Sequence, residues 1–135
     1  MVKKINIKYL IVVWIIIIFI LSSISGNELN KLPKFKIPHL DKIVHFTMYF
    51  ILQFLVSLEY FKNFSGKYKL SNYILISTLL SIFYGGGIEV MQEYFFTKRS
   101  GNIYDLLANS IGAVMGSFIL IITVKKTNIL NKIIN

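Results

Sequence analysis

The 135-residue sequence predicts an all-α integral membrane protein, a bundle of four transmembrane helices. Three observations lead there. Hydrophobic residues make up 55% of the chain and its mean hydropathy is +0.64, more apolar surface than one small soluble core can hide. The apolar residues gather in four runs, each near the length needed to cross roughly 30 Å of hydrocarbon. No run alternates as a barrel strand does, and a spanning segment must satisfy its backbone internally, which leaves helices.

The first run, residues 9–24, is uncharged and follows Lys3, Lys4 and Lys8. At about 16 residues it lies near the short limit for a span. The basic start, the apolar stretch and then Ser23-Ile24-Ser25-Gly26 also fit a signal peptide with a small-residue cleavage site. Cleavage there would leave three helices. Trp14 and the long isoleucine run fit an anchor better, so residues 1–25 are read as the first transmembrane segment. Residues 26–40 carry Gly26, Asn27, Pro33 and Pro38 and read as a loop or short surface helix. The second run, 43–61, and the third, 73–96, flank a polar turn at 62–67; the fourth, 106–124, stops at Lys125 and Lys126. Residues 1–135 form one domain.

The chain carries 15 Lys and Arg against 6 Asp and Glu, a formal net charge of +9. The lysines sit between apolar runs and not along one face, so nucleic acid is excluded as a partner and bilayer headgroups are the anionic neighbour. With the amino terminus inside, nine basic residues fall on the cytoplasmic side, from Lys3 to Lys132, against six outside, namely Lys31, Lys34, Lys36, Lys42, Lys98 and Arg99. The bias places both termini in the cytoplasm. The absence of cysteine removes disulfides and thiolate metal sites.

The polar residues beside the helices are not scattered. Asp41, Lys42 and His45 open the second helix, Glu89, Gln92 and Glu93 close the third, Arg99 follows it, and Asp105 and Asn109 open the fourth. Alternating topology brings these ends to one membrane surface, the extracytoplasmic one if the charge count holds. Asp41, His45 and Tyr49 recur every four residues and share a face, as do Glu89, Gln92 and Glu93. Asp105, Asn109, Gly112 and Gly116 share a stripe, and the last two form a GxxxG pair that admits a neighbouring backbone. Gly85, Gly86 and Gly87 fall inside the third run, where they signal either tight packing or a helix break aimed at a ligand. Carboxylates inside a membrane turn inward and pair, and Arg99 offers a bidentate partner for Glu89, Asp105 or Asp41.

A structural reading of the same residues stands beside the functional one. Asp41 and Asp105 suit helix amino termini, and His45 suits an interhelical hydrogen bond. Glu89, deep in an apolar run, has no capping role. No Ser/His/Asp or Cys/His arrangement announces a nucleophile. His45, Glu89 and Asp105 make a poor zinc set, so neither metal nor cofactor is expected.

The order Asp41-Lys42-Ile43-Val44-His45-Phe46-Thr47-Met48-Tyr49, then Glu89-Val90-Met91-Gln92, then Arg99, then Asp105-Leu106-Leu107-Ala108-Asn109-Ser110-Ile111-Gly112 and Gly116, resembles the VanZ-like family of small bacterial membrane proteins. The resemblance spans residues 41–116. It implies a multi-helix fold in the bacterial cytoplasmic membrane, no known cofactor, and a link in some members to resistance against glycopeptide antibiotics, chiefly teicoplanin. The family's pattern falls on Asp41, Lys42, His45, Tyr49, Glu89, Gln92, Arg99, Asp105, Asn109 and Gly112. Two departures stand out: Phe96-Thr97-Lys98 replaces a turn that has proline or glycine in many members, and Asn102 stands where aspartate is frequent. Three functions follow. The favoured one is a non-enzymatic protein that binds or shields an outer-leaflet ligand, such as a lipid-linked cell-wall precursor or lipoglycopeptide. The others are a subunit or assembly factor with a membrane protein partner, and a membrane hydrolase or transferase acting on a lipid-linked substrate.

Overall fold

Each apolar run forms one helix in the computed structural model, which describes residues 6–25, 38–62, 70–96 and 100–126. The helices are α1 (Ile7–Ser23), α2 (Leu40–Lys62), α3 (Leu70–Tyr94) and α4 (Ile103–Lys126), and no strand occurs among the described residues. α2, α3 and α4 are long and apolar enough to cross a membrane; α1, at 17 residues, is shorter. Its start is capped by Asn6, whose side chain accepts from the Lys8 amide.

Burial runs opposite to that of a soluble bundle. Leu80, Phe83, Ile111 and Phe118 point outward, whereas Gln53, Ser57, Ser81, Asn109 and Ser117 are buried. Lipid covers the first set, and interhelical hydrogen bonds satisfy much of the second. Gln53 Nε2 donates to Ser77 Oγ at 2.8 Å, and Ser81 Oγ donates to Gln53 Oε1 at 2.8 Å, which joins α2 to α3 near their middles.

The closest packing is between α2 and α4, because glycine removes the side chains that would hold them apart. A Cβ at Gly112 would collide with the Phe46 carbonyl oxygen, and one at Gly116 with the Phe50 carbonyl oxygen. The rings of Phe46, Phe50 and Phe54 stack along the same side of α2. α1 docks on the other side. Ile18 is fully buried, Trp14 Nε1 donates to the Met48 carbonyl at 2.9 Å, and Tyr84 Oη donates to the Ile15 carbonyl at 2.8 Å.

The glycine triplet does not break α3, which is continuous through it. Its members differ. Gly85 is buried, and a Cβ there would press on Asn109 Nδ2 at 3.1 Å and on the Tyr49 ring at 3.2 Å. A Cβ at Gly86 would touch only Leu106, at 3.8 Å, and one at Gly87 would meet nothing within 4 Å. Tight packing therefore describes Gly85 and not Gly87: residues two apart on a helix face different directions.

A polar cluster at one end of the bundle

The start of α2, the end of α3 and the start of α4 meet at one end of the bundle. Lys42, in the first turn of α2, lies with Nζ 2.7 Å from Asp41 Oδ2 and 3.1 Å from Asp105 Oδ1. Asp41 itself is largely exposed, its side chain 54% accessible, so Lys42 spans from the surface to the buried Asp105. One turn further along α2, His45 Nδ1 lies 3.1 Å from Asn109 Oδ1 and 3.8 Å from Glu89 Oε1. His45, Glu89, Asp105 and Asn109 are all buried.

The chain before α4 is shaped by carboxylates at the end of α3. The Asn102 amide donates to Glu89 Oε2 at 2.9 Å, and the Gly101 amide donates to Glu93 Oε2 at 2.8 Å. Gly101 must be glycine, since a Cβ there would lie 2.6 Å from the Glu89 carbonyl oxygen. Asn102, not Asp105, caps α4: its Oδ1 accepts from the Tyr104 amide at 2.9 Å, a task asparagine performs as well as aspartate. That explains how the chain tolerates asparagine at this position.

Gln92, grouped by spacing with Glu89 and Glu93, turns away from the cluster. Its Nε2 donates to the Ser22 carbonyl of α1 at 3.0 Å, and Glu93 faces solvent or headgroups. Tyr49 lies one turn below His45, and its hydroxyl and Asn109 Nδ2 are buried without a hydrogen-bond partner among the described residues. Arg99 lies outside the described residues, so among those described the cation that meets Asp41 and Asp105 is Lys42. Spacing alone singled out neither Gly101 nor Gln53. A glycine directly before a helix-capping asparagine, and a Gln one turn beyond Tyr49 on its face, were the available signals.

Beside the cluster a groove of about 760 Å³ runs between α3 and α4. Phe83, Val90, Ile103 and Leu106 supply its apolar walls, Gly86 and Gly87 leave room along α3, and Glu89, Glu93 and Asn102 form its polar part. Glu89 thus belongs both to the groove and to the buried cluster.

Helices long and apolar enough to cross a bilayer, gathered about a buried polar cluster, define a small helical membrane protein. The chain belongs to the VanZ/LLP1 family, whose model matches residues 7–124, most of its length. Neither a curated protein nor a solved structure matches it.

Proposed function

We propose that this protein lies in a bacterial cytoplasmic membrane with both termini inside, and that it binds or shields an amphipathic outer-leaflet ligand without catalysing a reaction. The position of Glu89 supports this reading best. It joins an apolar groove to a polar cluster, which suits a ligand with a lipid tail and a hydrogen-bonding head. Lipid-linked cell-wall precursors and lipoglycopeptides have that form, and the family resemblance adds the link to teicoplanin. The hydrolase reading is weaker, because the hydrogen-bond partner of His45 is the Asn109 amide and not a hydroxyl nucleophile.

Wild type expressed in a susceptible Gram-positive host is expected to raise the inhibitory concentration of teicoplanin more than that of vancomycin, which lacks the acyl chain. At matched membrane levels, Glu89→Gln and Asp105→Asn should lose most of that protection. A charge-assisted hydrogen bond contributes about 1.5–3 kcal/mol, roughly a tenfold or greater loss of affinity. Gly87→Leu should lose it too by filling the groove, since nothing near Gly87 obstructs a side chain. If wild type shifts neither drug, the ligand reading fails and the subunit reading replaces it.

Orientation is tested separately. Single cysteines at Asn30 and Ser100 of this cysteine-free chain should label from outside, and those at Asn63 and Asn128 should not. Ser100 is exposed, whereas a side chain at Gly101 would strike the Glu89 carbonyl. External labelling at Asn63 overturns the proposed orientation.

A further inference from the structure

We propose that His45, Glu89 and Asp105, with Asn109 beside them, bind one divalent first-row cation, Mn²⁺ or Zn²⁺. From the sequence these three make a poor zinc set, because one histidine and two carboxylates on three helices form no short ligand motif; the fold supplies the proximity that spacing does not. In the folded chain, one donor atom from each of His45, Glu89 and Asp105 lies within 4.8 Å of the others. Ligands held at about 2.0–2.2 Å from a shared ion stand roughly 3–4.4 Å apart. The 3.8 Å from His45 Nδ1 to Glu89 Oε1 already falls in that range, and so does the 3.1 Å from His45 Nδ1 to Asn109 Oδ1. Movements of well under an ångström would close the set.

Both carboxylates are already oriented for this task. The Asn102 amide holds Glu89 through Oε2, and Oε1 lies 3.8 Å from His45 Nδ1. Lys42 holds Asp105 through Oδ1. Outer hydrogen bonds of this kind orient ligands around bound metals. A second observation points to an occupant: Asn109 is fully buried, and its Nδ2 has no hydrogen-bond partner among the described residues. With Oδ1 turned to the cation, Nδ2 donates to a water bound on the same ion. The donor set, one imidazole with two carboxylates and an amide oxygen, is oxygen-rich and suits Mn²⁺, with Zn²⁺ accepted through the imidazole. A dication also offsets the cost of burying carboxylates at the edge of a bilayer. The site shares Glu89 with the proposed ligand groove, but cation uptake is read with no ligand present, so either proposal can fail without the other.

The test uses the full chain purified in detergent, stripped with a chelator and titrated with Mn²⁺ while free ion is followed by electron paramagnetic resonance. Wild type should take up one Mn²⁺ per chain. Glu89→Gln and Asp105→Asn should each weaken uptake by at least the roughly 10- to 100-fold that loss of an outer hydrogen-bonding partner costs. Glu59→Gln, changed near the opposite end of α2, should bind as wild type does. His45→Cys supplies a signature that does not depend on folding yield: in a chain with no other cysteine, a thiolate-to-cobalt charge-transfer band on adding Co²⁺ reports this position alone. Lack of Mn²⁺ uptake by folded wild type overturns the proposal, as does uptake unchanged in the Glu89 and Asp105 variants. If those variants fail to fold, the band in His45→Cys decides, its presence supporting the site and its absence overturning it.

Discussion

Gly112→Ala should destabilise the bundle while Gly87→Ala, the same chemical change, should leave it unharmed or slightly more stable. At Gly112 the added methyl meets the Phe46 carbonyl of α2, a backbone atom that yields only if the whole helix moves. Overpacking of this kind typically costs about 1–3 kcal/mol, and Gly112→Leu should exceed that and leave little folded protein. At Gly87 the methyl enters open space, so replacing glycine gains helix propensity of up to about 0.8–1 kcal/mol. Unfolding of the purified protein in mixed micelles with increasing SDS measures both. Equal midpoints for the two alanine variants would show that α2 and α4 do not approach through Gly112.

The second large effect is expected at Gln53, which is fully buried and bridges Ser77 and Ser81. Gln53→Ala removes two interhelical hydrogen bonds, each worth about 0.6 kcal/mol on average and up to roughly 1.7 in membrane proteins. It also leaves a cavity, so the total should reach about 2–3 kcal/mol. Gln53→Met keeps most of the volume, so its smaller loss isolates the hydrogen bonds. The SDS midpoint again measures both, and an alanine variant as stable as wild type would remove Gln53 from any role in joining α2 to α3.

Much of the fold was legible because apolar length and uninterrupted hydropathy are local properties. The runs at 43–61, 73–96 and 106–124 became helices at Leu40–Lys62, Leu70–Tyr94 and Ile103–Lys126. Two of the three begin and end further out, because hydropathy trims away polar end residues such as Asp41 and Lys42, which are helical all the same. Alternation alone brings the start of α2, the end of α3 and the start of α4 to one end. It does not say who meets whom. That Gln92 reaches α1 while Glu89 turns toward His45 depends on helix rotation, which spacing within one helix does not set. The mid-bundle contacts were readable in principle. His45, Tyr49, Gln53 and Ser57 recur every four residues on α2, as Ser77, Ser81, Gly85 and Glu89 do on α3, and all are buried. Gln53 lies one turn beyond Tyr49 on that face but carries no charge, so a pattern of charged residues does not include it.

The shortness of α1 puts a step in the hydrophobic height of the molecule. α1 and α3 run the same way, with Ile15 level with Tyr84 and Ser22 level with Gln92. At the cluster end they finish almost together. At the far end α3 continues to Leu70, whereas α1 stops at Ile7, short by roughly six residues or about 9 Å at 1.5 Å per residue. Lipids beside α1 must thin or tilt to follow that step, at a cost of fractions of a kcal/mol per ångström. The protein therefore strains the leaflet unevenly around its perimeter, and the strain falls on the inner leaflet when the cluster faces outward.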